Sequence, residues 1–209
     1  MVTDKSVVLI GGTFNPFTNA HKEMAISVRG LLAEADIVYI PSNMGYISEW
    51  KDIPSDNVFS GRNRSDLISE SIKDISNCYV SNIESTGKIT GRTYETVQYF
   101  KEKYERVYIC IGSDKLTEFE KWYKAEELIK EVEVLLFTRG KAVIDCSSEF
   151  IKKYRGKITE VDFNFPEISS SLVRDMYNKG KIVEIKKYVP YPVYEYLGKA
   201  REMYVPQHI

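Results

Sequence analysis

Two stretches, near opposite ends of a 209-residue chain, carry groups that could hold and activate a phosphate. The first is Gly11-Gly12-Thr13-Phe14-Asn15-Pro16-Phe17-Thr18-Asn19-Ala20-His21. It follows the short apolar run Val7–Ile10, so it reads as the turn from a buried strand into a helix. Gly11 and Gly12 let the backbone turn tightly and come close to a ligand. The helix start beyond them offers N–H groups and the positive end of a dipole. Thr18 and His21 are three residues apart, so both side chains can face one phosphate. An imidazole there can donate to a phosphate oxygen and offset charge that builds on a leaving group. The plainer alternative is an ordinary strand-to-helix turn with His21 on the surface. The glycine spacing is neither the dinucleotide fingerprint nor the P-loop, whose lysine is missing.

The second stretch is Ile168-Ser169-Ser170-Ser171-Leu172-Val173-Arg174. A helix needs one serine to cap it, not three hydroxyls and an arginine one turn later. Serine hydroxyls, helix N–H groups and the Arg174 guanidinium would make a second anion site. Between the two stretches lie further candidates. Asp114, in Ile111-Gly112-Ser113-Asp114, could accept from ribose hydroxyls, or could be a cap or turn residue. Trp122 could stack on an electron-poor ring, or fill the core. Thr138 and Arg139 close a strand-like run, and Arg139 could equally be a solvated charge. Asn43 follows Pro41-Ser42 at another strand end. Thr93 opens a helical stretch, and Arg64 opens another, where a solvated arginine is an equal reading.

These residues need elements to position them. Short apolar runs at Val7–Ile10, Ile37–Ile40, Tyr79–Ile83, Val107–Ile111, Val132–Phe137 and Ile158–Val161 read as buried strands. Helical spacing covers Asn19–Leu32, Arg64–Ile75, Thr93–Tyr104, Ala125–Glu131, Ser147–Tyr154, Ser170–Asn178 and Pro192–Met203. Strands alternating with helices predict an α/β fold with a doubly wound parallel sheet. Such sheets bind ligands at the carboxyl ends of their strands, where the strand order reverses. The length fits one domain spanning residues 1–209, with a small helical C-terminal part from about residue 168. Ser42–Ser60 reads as a long loop of the kind that often forms a lid.

Net charge is -1, which gives no general affinity for nucleic acid or acidic lipid. No apolar run approaches the roughly 20 residues that a membrane helix needs, and no signal segment is apparent. Cys78, Cys110 and Cys146 have no metal-like spacing and read as reduced, mostly buried thiols in a cytoplasmic protein. Self-association is left open.

Gly12, Phe14, Asn15, Pro16, Thr18 and His21 together resemble the signature of the nicotinate and nicotinamide mononucleotide adenylyltransferases, a Gly-x-Phe-Asp/Asn-Pro run leading to His/Thr-x-Gly-His. Ala20 stands where that family usually has Gly, and Asn15 where its bacterial members usually have Asp; the Asn-Pro-x-Thr-Asn-x-His form resembles the eukaryotic nicotinamide mononucleotide branch instead. Ile168 to Arg174 resembles the family's Ile-Ser-Ser-Thr-x-Ile/Val-Arg motif. The stretch from Gly112 to Trp122 is similar to the bacterial nicotinate enzymes, and Asn43, Thr93, Thr138 and Arg139 fall at matching strand or helix ends.

The resemblance implies a Rossmann-like nucleotidyltransferase fold and transfer of AMP from ATP to a pyridine mononucleotide, with pyrophosphate leaving. His21, Thr18 and Arg174 would be catalytic. Gly11, Gly12, Thr13, Phe14, Gly112, Asp114, Thr138, Arg139 and Ser169 to Ser171 (with Ser170) would bind ATP. Asn43, Thr93 and Trp122 would bind the mononucleotide, and Mg²⁺ would arrive on the ATP phosphates. Other transferases, acting on phosphopantetheine or using CTP, and a non-catalytic nucleotide-binding paralogue are the competing readings.

Overall fold

The computed structural model of the chain describes residues 3–43, 61–139, 148–163 and 168–204. Six parallel strands form one sheet: β1 Thr3–Gly12, β2 Asp36–Pro41, β3 Cys78–Val80, β4 Tyr104–Gly112, β5 Glu133–Arg139 and β6 Ile158–Phe163. Their spatial order is β3-β2-β1-β4-β5-β6, so the direction of winding reverses between β1 and β4. The described helices are α1 Asn19–Leu31, α2 Gly61–Ile72, α3 Thr93–Lys101, α4 Ser113–Leu116, α5 Ala125–Glu131, α6 Glu149–Lys153, α7 Ser170–Asn178, α8 Ile182–Ile185 and α9 Tyr191–Tyr204. None is long and apolar enough to cross a membrane.

Both faces of the sheet are covered, which is why the strands read as unbroken apolar runs rather than alternating ones. Val8 and Ile10 of β1 pack on one side with Val28 of α1, Ile68 of α2 and Val193 of α9. Val7 and Leu9 pack on the other with Val97 of α3 and Leu128 and Ile129 of α5. α7 leans on the first face through Val173 and Met176.

Helices α5 and α7 have the bounds that their spacing predicts, and other ends shift by tertiary pairing. The expected helix Thr93–Tyr104 stops at Lys101, because Tyr104 is recruited into β4 opposite Thr3. β1 likewise runs on through both glycines, where Gly11 pairs with Ile40 and Gly12 with Pro41. The short α8 had no clear periodic signal. Residues 44–60, most of the expected lid, and Cys146 lie outside the described residues. Cys110 is buried and Cys78 half-buried, and burial pushes the Cys78 thiol up to about 12, as it also raises that of Cys110.

Candidate active site

The carboxyl ends of β1 and β4 make the crevice. The two strands pair with each other only as far as Leu9 and Ile109. Beyond that point β1 stays bonded to β2 through Gly12, and β4 to β5 through Gly112. The sheet therefore parts at the place where its winding reverses, which is where open α/β sheets take ligands.

The turn after β1 is built differently from the sequence expectation. Neither Gly11 nor Gly12 has a positive φ; the left-handed residue is Phe14, at φ 48°. Gly12 is needed for space, since a Cβ there would come within 2.9 Å of the Phe14 ring. A Cβ at Gly11 would meet nothing within 4 Å, so that exposed position has open space beside it. Phe14 folds inward and is buried, and Asn15 is fully buried behind it.

His21 is the best-fixed polar side chain of this turn. Thr18 caps α1, and its backbone N–H donates to His21 Nδ1 at 3.0 Å. A backbone N–H can only donate, so Nδ1 is the unprotonated nitrogen and the neutral ring carries its proton on Nε2. The Thr18 hydroxyl lies 3.0 Å from the same nitrogen and accepts from the His21 N–H at 3.4 Å. Aromatic rings hold the imidazole plane. Phe14 meets it edge-on at 5.1 Å, and Phe17 lies 5.5 Å away. Beneath them Tyr39 packs on both phenyl rings and donates its hydroxyl to the His21 carbonyl at 2.6 Å. Burial raises the Tyr39 pKa, so it stays a neutral donor.

The N–H groups at the start of α1 are less available than expected. The Asn19 N–H is taken by the Tyr188 carbonyl at 2.9 Å, and that of His21 by Thr18. Ala20 lies in the first turn of α1, where φ is negative, so the missing glycine costs the backbone nothing there.

The second motif closes directly on the first. Arg174 Nη1 donates to the Asn15 carbonyl at 2.7 Å, and the Ser170 hydroxyl donates to the Pro16 carbonyl at 2.8 Å. Each serine has a separate task. Ser169 caps α7 by accepting from the Leu172 N–H, and Ser171 accepts from Arg174 Nη2 at 3.1 Å. Partial burial lowers the Arg174 pKa without discharging it. Arg64 clamps the turn from behind. It is 1% exposed, and its guanidinium donates to the Thr13 and Ser42 carbonyls, each at 2.7 Å. That burial and those bonds set the solvated-arginine reading aside, and desolvation brings the Arg64 pKa down to about 10.

Asn43, Asp114, Thr138 and Arg139 follow or end strands at the carboxyl edge of the sheet. Asn43 follows β2 and donates to the Thr90 carbonyl at 3.1 Å, beside a cleft of about 620 Å³ lined also by Glu95 and Tyr99. Asp114 is exposed in the first turn of α4, after the helix cap, and folds back over Gly112, where a Cβ would come within 2.5 Å of its Oδ1. Thr93 is the first residue of α3. Trp122 is half-buried, one face stacked on buried Phe119 at 4.8 Å, so its core role is real on that face. Thr138 is the penultimate residue of β5 and half-buried, and the Arg139 side chain lies outside the described residues. Sequence reasoning missed Tyr39 and Phe17. The available signal was a hydroxyl-bearing ring inside the otherwise aliphatic run Ile37–Ile40.

A parallel sheet that parts where its winding reverses, with two helix-start motifs clasped at the opening, is the frame of nucleotide-binding α/β proteins. The family model described as Cytidylyltransferase-like matches residues 9–176. A protein from Caldicellulosiruptor bescii named probable nicotinate-nucleotide adenylyltransferase is 31% identical over 197 residues, covering 92% of this chain and 96% of its own. One of the same name from Staphylococcus saprophyticus is 30% identical, over 81% of this chain and 84% of its own. The fold is also that of Plasmodium falciparum nicotinic acid mononucleotide adenylyltransferase complexed with NaAD, at a TM-score of 0.73 and 24% identity, covering 96% and 97% of the two chains. The chain belongs to the cytidylyltransferase-like family and, within it, to the nicotinate-nucleotide adenylyltransferases, which are enzymes.

Proposed function

We propose that the chain joins a pyridine mononucleotide to the AMP half of ATP. The mononucleotide's phosphate oxygen attacks the α-phosphorus in line, the bond to the bridging oxygen breaks, and pyrophosphate leaves. The attacking group is already an anion, so no protein nucleophile is needed. Catalysis consists of holding two like-charged groups together and stabilising charge on the leaving group.

The observation that carries this reading is the clasp of α7 on the turn after β1, through Arg174 to Asn15 and Ser170 to Pro16. It brings two separated motifs to one crevice. His21, with its proton on Nε2, would donate to the phosphates, and Thr18 would hold that tautomer. Arg174 would place positive charge beside them while bracing the turn. Gly11 to Phe14, the α7 serines, Gly112, Asp114, Thr138 and Arg139 would receive ATP. Asn43, Thr93 and the open face of Trp122 would receive the mononucleotide. Mg²⁺ would enter on the phosphates and neutralise part of their charge.

The test is pyrophosphate release with ATP or CTP against nicotinate mononucleotide, nicotinamide mononucleotide and phosphopantetheine. The reading expects release with ATP and a pyridine mononucleotide, and a higher rate with nicotinate, the base in the relatives' names. Release only with CTP or phosphopantetheine would sink it, and ATP binding without product would mark a non-catalytic nucleotide binder.

A further inference from the structure

Helix α3 and the segment leading into α5 meet through two tyrosines. Tyr94 and Tyr123 pack edge to face with ring centres 6.1 Å apart. Thr93 and Trp122 are the chain neighbours of these two rings. Two cations sit on the same pair of rings. The Arg92 guanidinium lies 4.3 Å from the Tyr123 centre. Lys124 Nζ lies 4.6 Å from the Tyr94 centre and 5.6 Å from that of Tyr123.

Neither cation is in an ion pair among the described residues, whereas most lysines of α3, α5 and α6 are paired with a carboxylate. Two acids on the adjoining helices are occupied elsewhere. Glu95 accepts from the N–H and hydroxyl of Thr90, and Glu126 is held by Lys153 and Tyr154. Lys124 also breaks two local rules. It is a side-chain-bearing residue at φ 52°, and it puts a cation at the positive end of α5. Local violations of this kind mark sites held for something other than folding.

We infer that Arg92 and Lys124 form a cationic rim that selects a pyridine ring bearing a carboxylate over one bearing a carboxamide. The inference rests on the reading above, in which Thr93 and Trp122 receive the base. Stacking on tyrosine faces limits where each cation can lie, so less freedom is lost when an anion arrives. The two mononucleotides share a ribose phosphate, so any attraction of the rim for that phosphate cancels in their ratio. What is left is one unit of charge on the ring substituent.

The experiment compares kcat/KM for nicotinate and nicotinamide mononucleotides, in the unaltered chain and in the double variant Arg92→Gln, Lys124→Gln, at low and high salt. The nicotinate-to-nicotinamide ratio is expected to fall about tenfold in the double variant. In the unaltered chain the ratio should shrink as salt rises. A ratio that moves with neither change overturns the inference. Lys124→Gly separates this role from a structural one: glycine suits the left-handed backbone, so the melting temperature should rise while the preference for nicotinate falls. If the unaltered chain makes no dinucleotide from either substrate, the adenylyltransferase reading fails and the inference with it. An active chain with an unmoved ratio sinks only the inference.

Discussion

The turn after β1 and the Thr93–Trp122 edge are two halves of one proposed site, built on opposite plans. In the first, Thr18, His21, Ser170 and Arg174 are bonded to the protein itself. His21 is fixed by Thr18, two phenyl rings and the Tyr39 hydroxyl, and the turn is braced by Arg64 and Arg174. In the second, Trp122 is only half-buried, Asp114 is exposed, and Arg92 and Lys124 rest on tyrosines rather than on acids. The contrast fits the division of labour. Charge stabilisation at a reacting phosphorus works through groups that need no reorganisation. Discrimination between ring substituents can be set by a few adaptable side chains at the rim.

The contrast can be broken at its rigid half first. His21→Ala should lower turnover by roughly 10²-fold or more, on the scale of a single charge-stabilising donor, with circular dichroism unchanged. Near-normal turnover would remove His21 from the chemistry. Arg64→Met should cost about 3 kcal/mol in urea unfolding, because two inward-facing carbonyls lose their donor. A loss under 1 kcal/mol would show that the clamp is dispensable. Gly12→Ala should cost about 1–3 kcal/mol by driving Phe14 out of place, whereas Gly11→Ala should leave stability nearly unchanged. Equal costs would contradict the packing reason given for Gly12.

The open half should respond in affinity rather than stability. Trp122→Ala is expected to weaken mononucleotide binding about tenfold by calorimetry and to leave ATP binding within about twofold. The reverse pattern would move Trp122 out of the base site.

The smallest effect concerns Glu84, which is 7% exposed and accepts from the Thr96 hydroxyl at 2.7 Å behind the Thr93 edge. Burial raises its pKa, so the folded chain favours the neutral acid. That preference supports folding below the unfolded carboxyl value and is lost as pH rises through the folded one. Glu84→Gln should therefore raise stability at pH 7, by less than the losses above. The gain should fade below about pH 4, where both proteins carry a neutral group. A gain that persists in acid would point to packing instead.

The order of strands and helices was readable because both of its signals are local. Apolar runs such as Val132–Phe137 and helical spacing such as Ser170–Asn178 depend only on neighbours in the chain. Both motifs stood out in the sequence too, since small residues, hydroxyls and a histidine at fixed offsets are uncommon together. What each residue does in the turn was less legible. Gly12 makes room for a ring two residues on, not a tight bend. The three serines act as cap, brace and partner to an arginine. Arg64 looked equally well like a solvated charge.

The sequence alone determined the doubly wound sheet, the two motifs and their placement at strand ends, because period and turn chemistry are written in consecutive residues. Only the tertiary structure decided that Arg174 reaches Asn15 across 159 positions, that Tyr39 braces His21, and that Arg92 and Lys124 share one pair of rings. Those contacts join segments whose separation along the chain carries no local signal. They exist because the sheet brings the segments to one edge, where burial and hydrogen bonding outweigh the entropy of closing the intervening loops.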